Sequence, residues 1–207
     1  MKLFLASSLQ HTGTEIAKML LADGFAGKLL FLTTASEVEK GDLSWLAADR
    51  KPLTDAGLDV FNYTVTNKTP SEVEKALEGV GAVCVAGGNT YFLLEQVRNS
   101  GFDQIITQRV QEGMPYIGSS AGALLAGPSI ETSLDDPSIT PKLTNYTGLE
   151  LCTISVRPHW GSAHFQDAYQ HEFKRLYSLN KSMVLLTDTE FMVVENNRYR
   201  VKTVHLS

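Results

Sequence analysis

Met114-Pro115-Tyr116-Ile117-Gly118-Ser119-Ser120-Ala121-Gly122-Ala123 opens as a short apolar strand over residues 114–117, turns at a G-x-S-x-G sequence, and continues into helix-compatible residues. A serine at the tip of a sharp strand-to-helix turn sits in a cramped backbone conformation. Glycines two residues to either side let neighbouring backbone pass close by. The serine hydroxyl then points outward, and the amide of Ala121 can donate to an oxygen on which negative charge develops. Ser120 is therefore the candidate nucleophile. The plainer reading is a glycine-serine turn, because G-x-S-x-G also arises from composition alone.

On the N-terminal side, Ala82-Val83-Cys84-Val85-Ala86 predicts a strand that ends in Gly87-Gly88-Asn89-Thr90, with a helix over residues 91–97. Unpaired amides at such a helix start could hold an anion. The glycines could equally serve a tight turn. The reading preferred here makes the Gly88 amide a second oxyanion donor, facing Ser120 from the adjacent strand end, with Asn89 as a candidate substrate contact. The turn is neither G-x-G-x-x-G nor a Walker loop, so no cofactor is expected. On the C-terminal side, residues 152–156 predict a strand ending in Arg157-Pro158-His159-Trp160, and residues 183–187 a strand closed by Asp188-Thr189-Glu190.

The remaining chain repeats the alternation. Residues 2–6 form an apolar strand, and residues 14–22 place Ile16, Ala17, Leu20 and Leu21 on one helical face before Gly24. Residues 28–34 are apolar without alternation, as in a strand covered on both faces of a parallel sheet, and its neighbour should be the first strand. Residues 42–56 read as a helix broken or restarted at Pro52. A strand over residues 58–65 precedes a helix that starts at Pro70 with Glu72 and Glu74 early in it. Residues 102–111 form another helix, and residues 128–149, rich in Pro, Ser, Thr and Asp, read as a long surface excursion. An apolar stripe at positions 165, 168, 169, 173, 176 and 177 marks a late helix. Residues 191–195 and 199–204, joined by Asn196-Asn197, read as an antiparallel hairpin. The whole predicts one α/β domain over residues 1–207, with a mostly parallel sheet and helices on both faces. Gly87-Gly88, Ser120, His159 and Asp188 all fall at or just after strand carboxyl ends, where such folds bind ligands.

Composition narrows the partners. The 207 residues are 43% hydrophobic, with no linker dividing them, and the net charge of -5 comes with scattered Lys and Arg. That balance argues against a nucleic-acid surface and for a small partner. The apolar run after Lys2 stops at Ser7-Ser8, too early for a signal peptide, and no stretch approaches the roughly 20 apolar residues that span a bilayer. Cys84 and Cys152 lie in strand candidates without metal-ligand spacing, which suits free thiols in a reducing cytoplasm; no metal site is expected.

Ser120 needs a base, and a histidine serves because its unperturbed pKa is about 6.5. His159 stands at a strand end behind a stiffening proline. His164 and His171 lie on the predicted helix, His205 near the terminus, and His11 after the first strand. A carboxylate must then orient the base. Asp188 follows a buried strand directly, while Glu190, Asp135 and Asp136 remain alternatives.

Gly87-Gly88-Asn89-Thr90, the Gly118 to Ala123 elbow and Pro158-His159, in this order and spacing, resemble the peptidase E family of aspartyl dipeptidases, related to cyanophycinase. The resemblance spans nearly the whole chain. It implies a fold akin to class I glutamine amidotransferases, a serine peptidase acting on short peptides, Ser120 as nucleophile, His159 as base, and an acid after the late strand, matching Asp188. An acid in the loop after the elbow, Asp135 or Asp136, is also implied as a possibility. Arg157 stands where these dipeptidases resemble one another in having Asn before Pro-His. If residues 156–159 stay extended, Arg157 and His159 share a face, and Arg157 could grip a substrate carboxylate. The competing reading pairs Arg157 with an acid of the Asp135 loop. Other readings of the chain are an esterase or amidase of small acyl substrates, or a non-catalytic binder of small molecules, and a homodimer is possible.

Overall fold

The computed structural model describes residues 1–196 and 198–205. In chain order the strands are β1 (Lys2–Ala6), β2 (Lys28–Leu32), β3 (Asp59–Tyr63), β4 (Val80–Val85), β5 (Tyr116–Ser119), β6 (Ser155–Arg157), β7 (Met183–Leu185), β8 (Glu190–Glu195) and β9 (Arg198–Thr203). The α-helices are α1 (Leu9–Ala22), α2 (Ser44–Asp55), α3 (Pro70–Ala76), α4 (Thr90–Asn99), α5 (Phe102–Gln111), α6 (Ala121–Leu125) and α7 (Gln166–Ser178).

A seven-stranded sheet in the order β3-β2-β4-β5-β1-β8-β9 forms the middle layer. The strands from β3 to β1 run parallel, and β8 and β9 close the sheet antiparallel. The apolar runs divide by alternation. Leu3, Leu5, Leu30, Leu32, Val83 and Val85 enter a core under α3 to α6, while Phe4, Leu29, Phe31, Cys84 and Ile117 enter a second core under α1 and α2. Strands buried on both faces must be apolar at successive positions, so their sequences carry no period of two. The hairpin of β8 and β9 sits where the sequence places it; Asn197, assigned to its turn, lies outside the described residues.

Several expectations change. β2 does not lie beside β1: it pairs with β3 and β4, and β1 is held between β5 and β8. Sequential strands are neighbours in only about two-thirds of cases, and an apolar run shows that a strand is central without showing beside which others. β6 and β7 leave the main sheet and pair with each other as a separate parallel ribbon. Helix α2 runs through Pro52 without a break. The proline ring packs onto Gly13 of α1, where an added Cβ would lie 2.9 Å from Pro52 Cβ.

The segment over residues 128–149 is a surface excursion only in part: residues 136–139, 141, 142, 144 and 145 are exposed, but the rest turns inward. Ile130, Thr132, Ser133 and Thr140 are buried, and Ser129 bridges Thr147. Buried loop backbone needs donors, and arginines supply them: Arg98 donates to the carbonyls of Asn145 and Thr147, and Arg175 to those of Glu131 and Ser133.

Candidate active site

The turn after β5 carries the strain its sequence implies. Ser120 has φ 50° and ψ -108°, a region that costs a non-glycine residue about 1–3 kcal/mol. It persists because the surroundings over-determine it. The Ser120 amide donates to the Ala6 carbonyl at the end of β1 (3.0 Å). The flanking glycines bring backbone against backbone: a Cβ on Gly122 would lie 2.1 Å from the Val85 carbonyl oxygen of β4, and one on Gly118 would lie 2.5 Å from the Gly122 oxygen.

Ser120 Oγ lies 2.9 Å from His159 Nε2, and His159 Nδ1 lies 2.6 Å from Asp188 Oδ1. The ribbon of β6 and β7 brings the last two together, because its parallel register delivers both strand ends to the same place. The Leu186 amide donates to the Arg157 carbonyl, and the Trp160 amide to the Leu186 carbonyl. His159 itself has φ 62°, which ends the extended run and swings the ring toward Ser120. The Tyr169 hydroxyl donates to the Pro158 carbonyl, and the Phe165 ring stacks on the imidazole at 4.3 Å between centroids.

Ser7, at the end of β1, was not singled out from the sequence. Its Oγ accepts from the His159 amide (2.7 Å) and donates to Asp188 Oδ1 (2.8 Å), so one hydroxyl ties base and acid together. Its position after a strand carboxyl end was the available signal. Burial alone would raise the Asp188 carboxyl, but the His159 hydrogen bond and charge, the Ser7 hydroxyl and the charge of His11 together hold it below the usual carboxylate range. Asp49 of α2 was missed as well. It is buried and accepts from Ser119 Oγ (2.6 Å) and the Gln10 amide (2.8 Å). Burial pushes its carboxyl up, against those hydrogen bonds and the charge of His159. Nothing local in its sequence distinguishes it from a solvated helix acid.

The other candidate acids are engaged with partners other than His159. Asp135 Oδ2 accepts from the Thr90 amide (2.7 Å), Thr90 Oγ1 (2.6 Å) and Ser133 Oγ (2.8 Å), at the start of α4. Asp136 is exposed and caps a short 3-10 turn through the Ser138 amide and hydroxyl. Glu190 accepts from the Thr187 amide (2.8 Å) and hydroxyl (2.9 Å), bracing the turn that carries Asp188.

The amides of Gly88 and Ala121 have no hydrogen-bond partner among the described residues. Gly88 takes φ +122°, and a Cβ there would lie 2.3 Å from the Ala35 carbonyl; only glycine fits this turn. A Cβ on Gly87 would lie 3.2 Å from Ser120 Cβ, which shows how closely the two strand ends approach. Gly88, Ser120 and His159 line one cavity of about 460 Å³, together with Ser7, Glu39, Trp45, Asp49, Asp135 and Phe165.

Asn89 and Arg157 are not on that wall. Asn89 is buried, and its side-chain oxygen caps α4 by accepting from the Phe92 amide (3.0 Å). The expected shared face of Arg157 and His159 fails because the left-handed His159 breaks the strand's period of two. Arg157 is 3% exposed and lies over the Tyr169 ring at 5.1 Å. Its Nε and Nη1 have no partner among the described residues, and burial lowers its pKa while Tyr169 and Asp135 oppose the shift.

A sequence profile described as Peptidase family S51 matches residues 3–202. An uncharacterised peptidase of Listeria innocua is 34% identical over 142 residues, 68% of each chain. One from Pasteurella multocida is 29% identical over 210 residues, 95% of this chain and 98% of that one. Among solved structures, a 1.5 Å crystal structure of a protein assigned to peptidase E, from Listeria monocytogenes EGD-e, superimposes with a TM-score of 0.87 at 26% identity, covering 99% and 98% of the two chains. No helix among the described residues is long and apolar enough to cross a membrane.

Proposed function

Since the chain belongs to peptidase family S51, we propose that it hydrolyses short peptides as a serine peptidase, through an acyl-enzyme on Ser120. The observation that carries this reading is the unbroken chain from Ser120 Oγ to His159 Nε2 and from His159 Nδ1 to Asp188, with Ser120 on a strained turn. With Nδ1–H donated to Asp188, Nε2 accepts the proton of Ser120 as Oγ bonds to the scissile carbonyl carbon. The amides of Gly88 and Ala121 receive the negative charge on the carbonyl oxygen. Collapse of the adduct breaks the C–N bond, and the imidazolium proton leaves on the amine. A water, deprotonated by His159, then attacks the ester; the acid departs and Ser120 regains its proton. The open cavity of about 460 Å³ suits a peptide of a few residues.

The test is labelling with a fluorophosphonate probe beside the kinetics of Ser120→Ala. Ser120 should be the labelled residue, and Ser120→Ala should lose at least about 10^4 in kcat while keeping the wild-type melting temperature, because the triad supplies that factor and the side chain is small. Wild-type hydrolysis by the variant would remove Ser120 from the mechanism.

A further inference from the structure

The wall of the Ser120 cavity is richer in acids than in bases. Among the described residues no Lys or Arg lines it, whereas Glu39, Asp49 and Asp135 do, beside the imidazoles of His159 and His164. Asp49 is turned inward onto Ser119 and Gln10. The other two have free capacity. All three hydrogen bonds to Asp135 go to Oδ2, leaving Oδ1 without a partner among the described residues. The Glu39 carboxylate likewise has neither a hydrogen bond nor an ion pair with a described residue. Burial, and after it the neighbouring charge of Asp135, push the Glu39 carboxyl up, as desolvation and a like charge both do. Trp45 flanks the same space, its ring 3.5 Å from where a Cβ of Gly87 would stand. An aromatic face beside carboxylates is a receptor for a cation.

The arginines that could have reversed this balance are committed elsewhere. Arg157 is buried under Tyr169, and Arg175 spends its guanidinium on Glu172 and the carbonyls of Glu131 and Ser133. An acidic residue beside the scissile bond would meet carboxylates and no Lys or Arg, only the imidazoles of His159 and His164 among the described residues.

We propose that this cleft selects peptides bearing a positive charge next to the scissile bond, held by Glu39 and Asp135 beside Trp45, and discriminates against acidic ones. The cleavage itself rests on the Ser120 reading; the charge preference rests on the cavity wall alone. The charge can come from the peptide's α-ammonium or from a Lys or Arg side chain, and binding to Ser120→Ala separates the two. Calorimetric titration would use Lys-Leu, Gln-Leu and Glu-Leu, each free and N-acetylated. Charge-assisted contacts to a partly dry carboxylate predict a loss of about 10-fold or more in affinity when the relevant charge is removed.

A loss on acetylation without preference for Lys-Leu assigns the charge to the α-ammonium. A preference for Lys-Leu that survives acetylation assigns it to the side chain. Equal affinity throughout, or tightest binding of Glu-Leu, overturns the proposal. Glu39 is exposed, so Glu39→Gln and Glu39→Lys should fold, the first weakening the cation preference and the second reversing it; an unchanged preference in Glu39→Lys also overturns the proposal. Fluorophosphonate labelling of Ser120 without charge-selective binding would sink the charge inference alone. Charge-selective binding without labelling would sink the serine reading alone.

Discussion

Asp188 accepts from both His159 Nδ1 and Ser7 Oγ through a single oxygen, Oδ1. An amide at this position keeps the shape but can present its NH2 to the ring, favouring the tautomer in which Nε2 carries the proton and cannot accept one from Ser120. Asp188→Asn should therefore lower kcat by about 10^3 to 10^4, whereas Asp136→Asn and Glu190→Gln, whose carboxylates brace turns, should cost far less. Steady-state kinetics on the three variants decides the ranking; a crippled Glu190→Gln beside an active Asp188→Asn would reverse it. Stability carries a second signature. The folded-state pKa of Asp188 is depressed, so the wild type binds fewer protons folded than unfolded, and its stabilisation is present above the unfolded carboxylate range and fades as pH falls through the folded pKa. Melting curves should therefore show Asp188→Asn losing less stability toward acid than the wild type does.

The elbow of β5 and α6 works as an element because two layers of backbone touch without side chains between them. Gly122 meets Val85 of β4, and the Tyr116 hydroxyl donates to the Gly122 carbonyl (2.8 Å) from beneath. A methyl on Gly122 would lie 2.1 Å from a carbonyl oxygen that belongs to a buried strand, so the helix would have to lift off the sheet. Gly122→Ala should cost about 1–3 kcal/mol or more, the usual range for overpacking a close-packed site. Denaturant titration measures it. Gly41→Ala is the control, since no atom lies within 4 Å of the point where its Cβ would stand and its cost comes only from its φ of +96°; equal losses in the two would show that contact with β4 is irrelevant.

At the scale of the molecule, the site spans pieces that the sheet alone does not hold together. Helix α7 reaches the segment after α6 through Arg175, whose donors meet the Glu131 and Ser133 carbonyls, and Lys181 adds an ion pair to Glu131. That segment carries Asp135 to the cavity wall. Arg175→Gln should leave two buried-loop carbonyls short of donors, loosening residues 128–149. Limited proteolysis should then cut within this segment earlier than in the wild type, and KM for peptides should rise more than kcat falls. Unchanged proteolysis would show that Arg98 and the Ser129 to Thr147 bridge suffice.

The sequence by itself determined which residues could be strand ends and turns, because those signals are local: apolar runs, the glycines of Gly118 to Gly122, and the glycine pair after β4. From these came the parallel sheet, the elbow at Ser120, and the clustering of Gly88, His159 and Asp188 near it. Tertiary structure alone decided neighbour order, since a crossover can place β1 beside β5 and β8 as readily as beside β2. It also decided that β6 and β7 form their own ribbon. Arg157 was misplaced for a related reason: a period of two holds only while the chain stays extended, and His159 adopts φ 62°. Ser7 and Asp49 escaped notice because each acts through a partner distant in the chain, whereas Phe165, read as part of a helical stripe, stacks on His159 six positions before it. Asp49, for example, bonds Ser119 across 70 positions, and only folding brings such a carboxylate out of water and under the site.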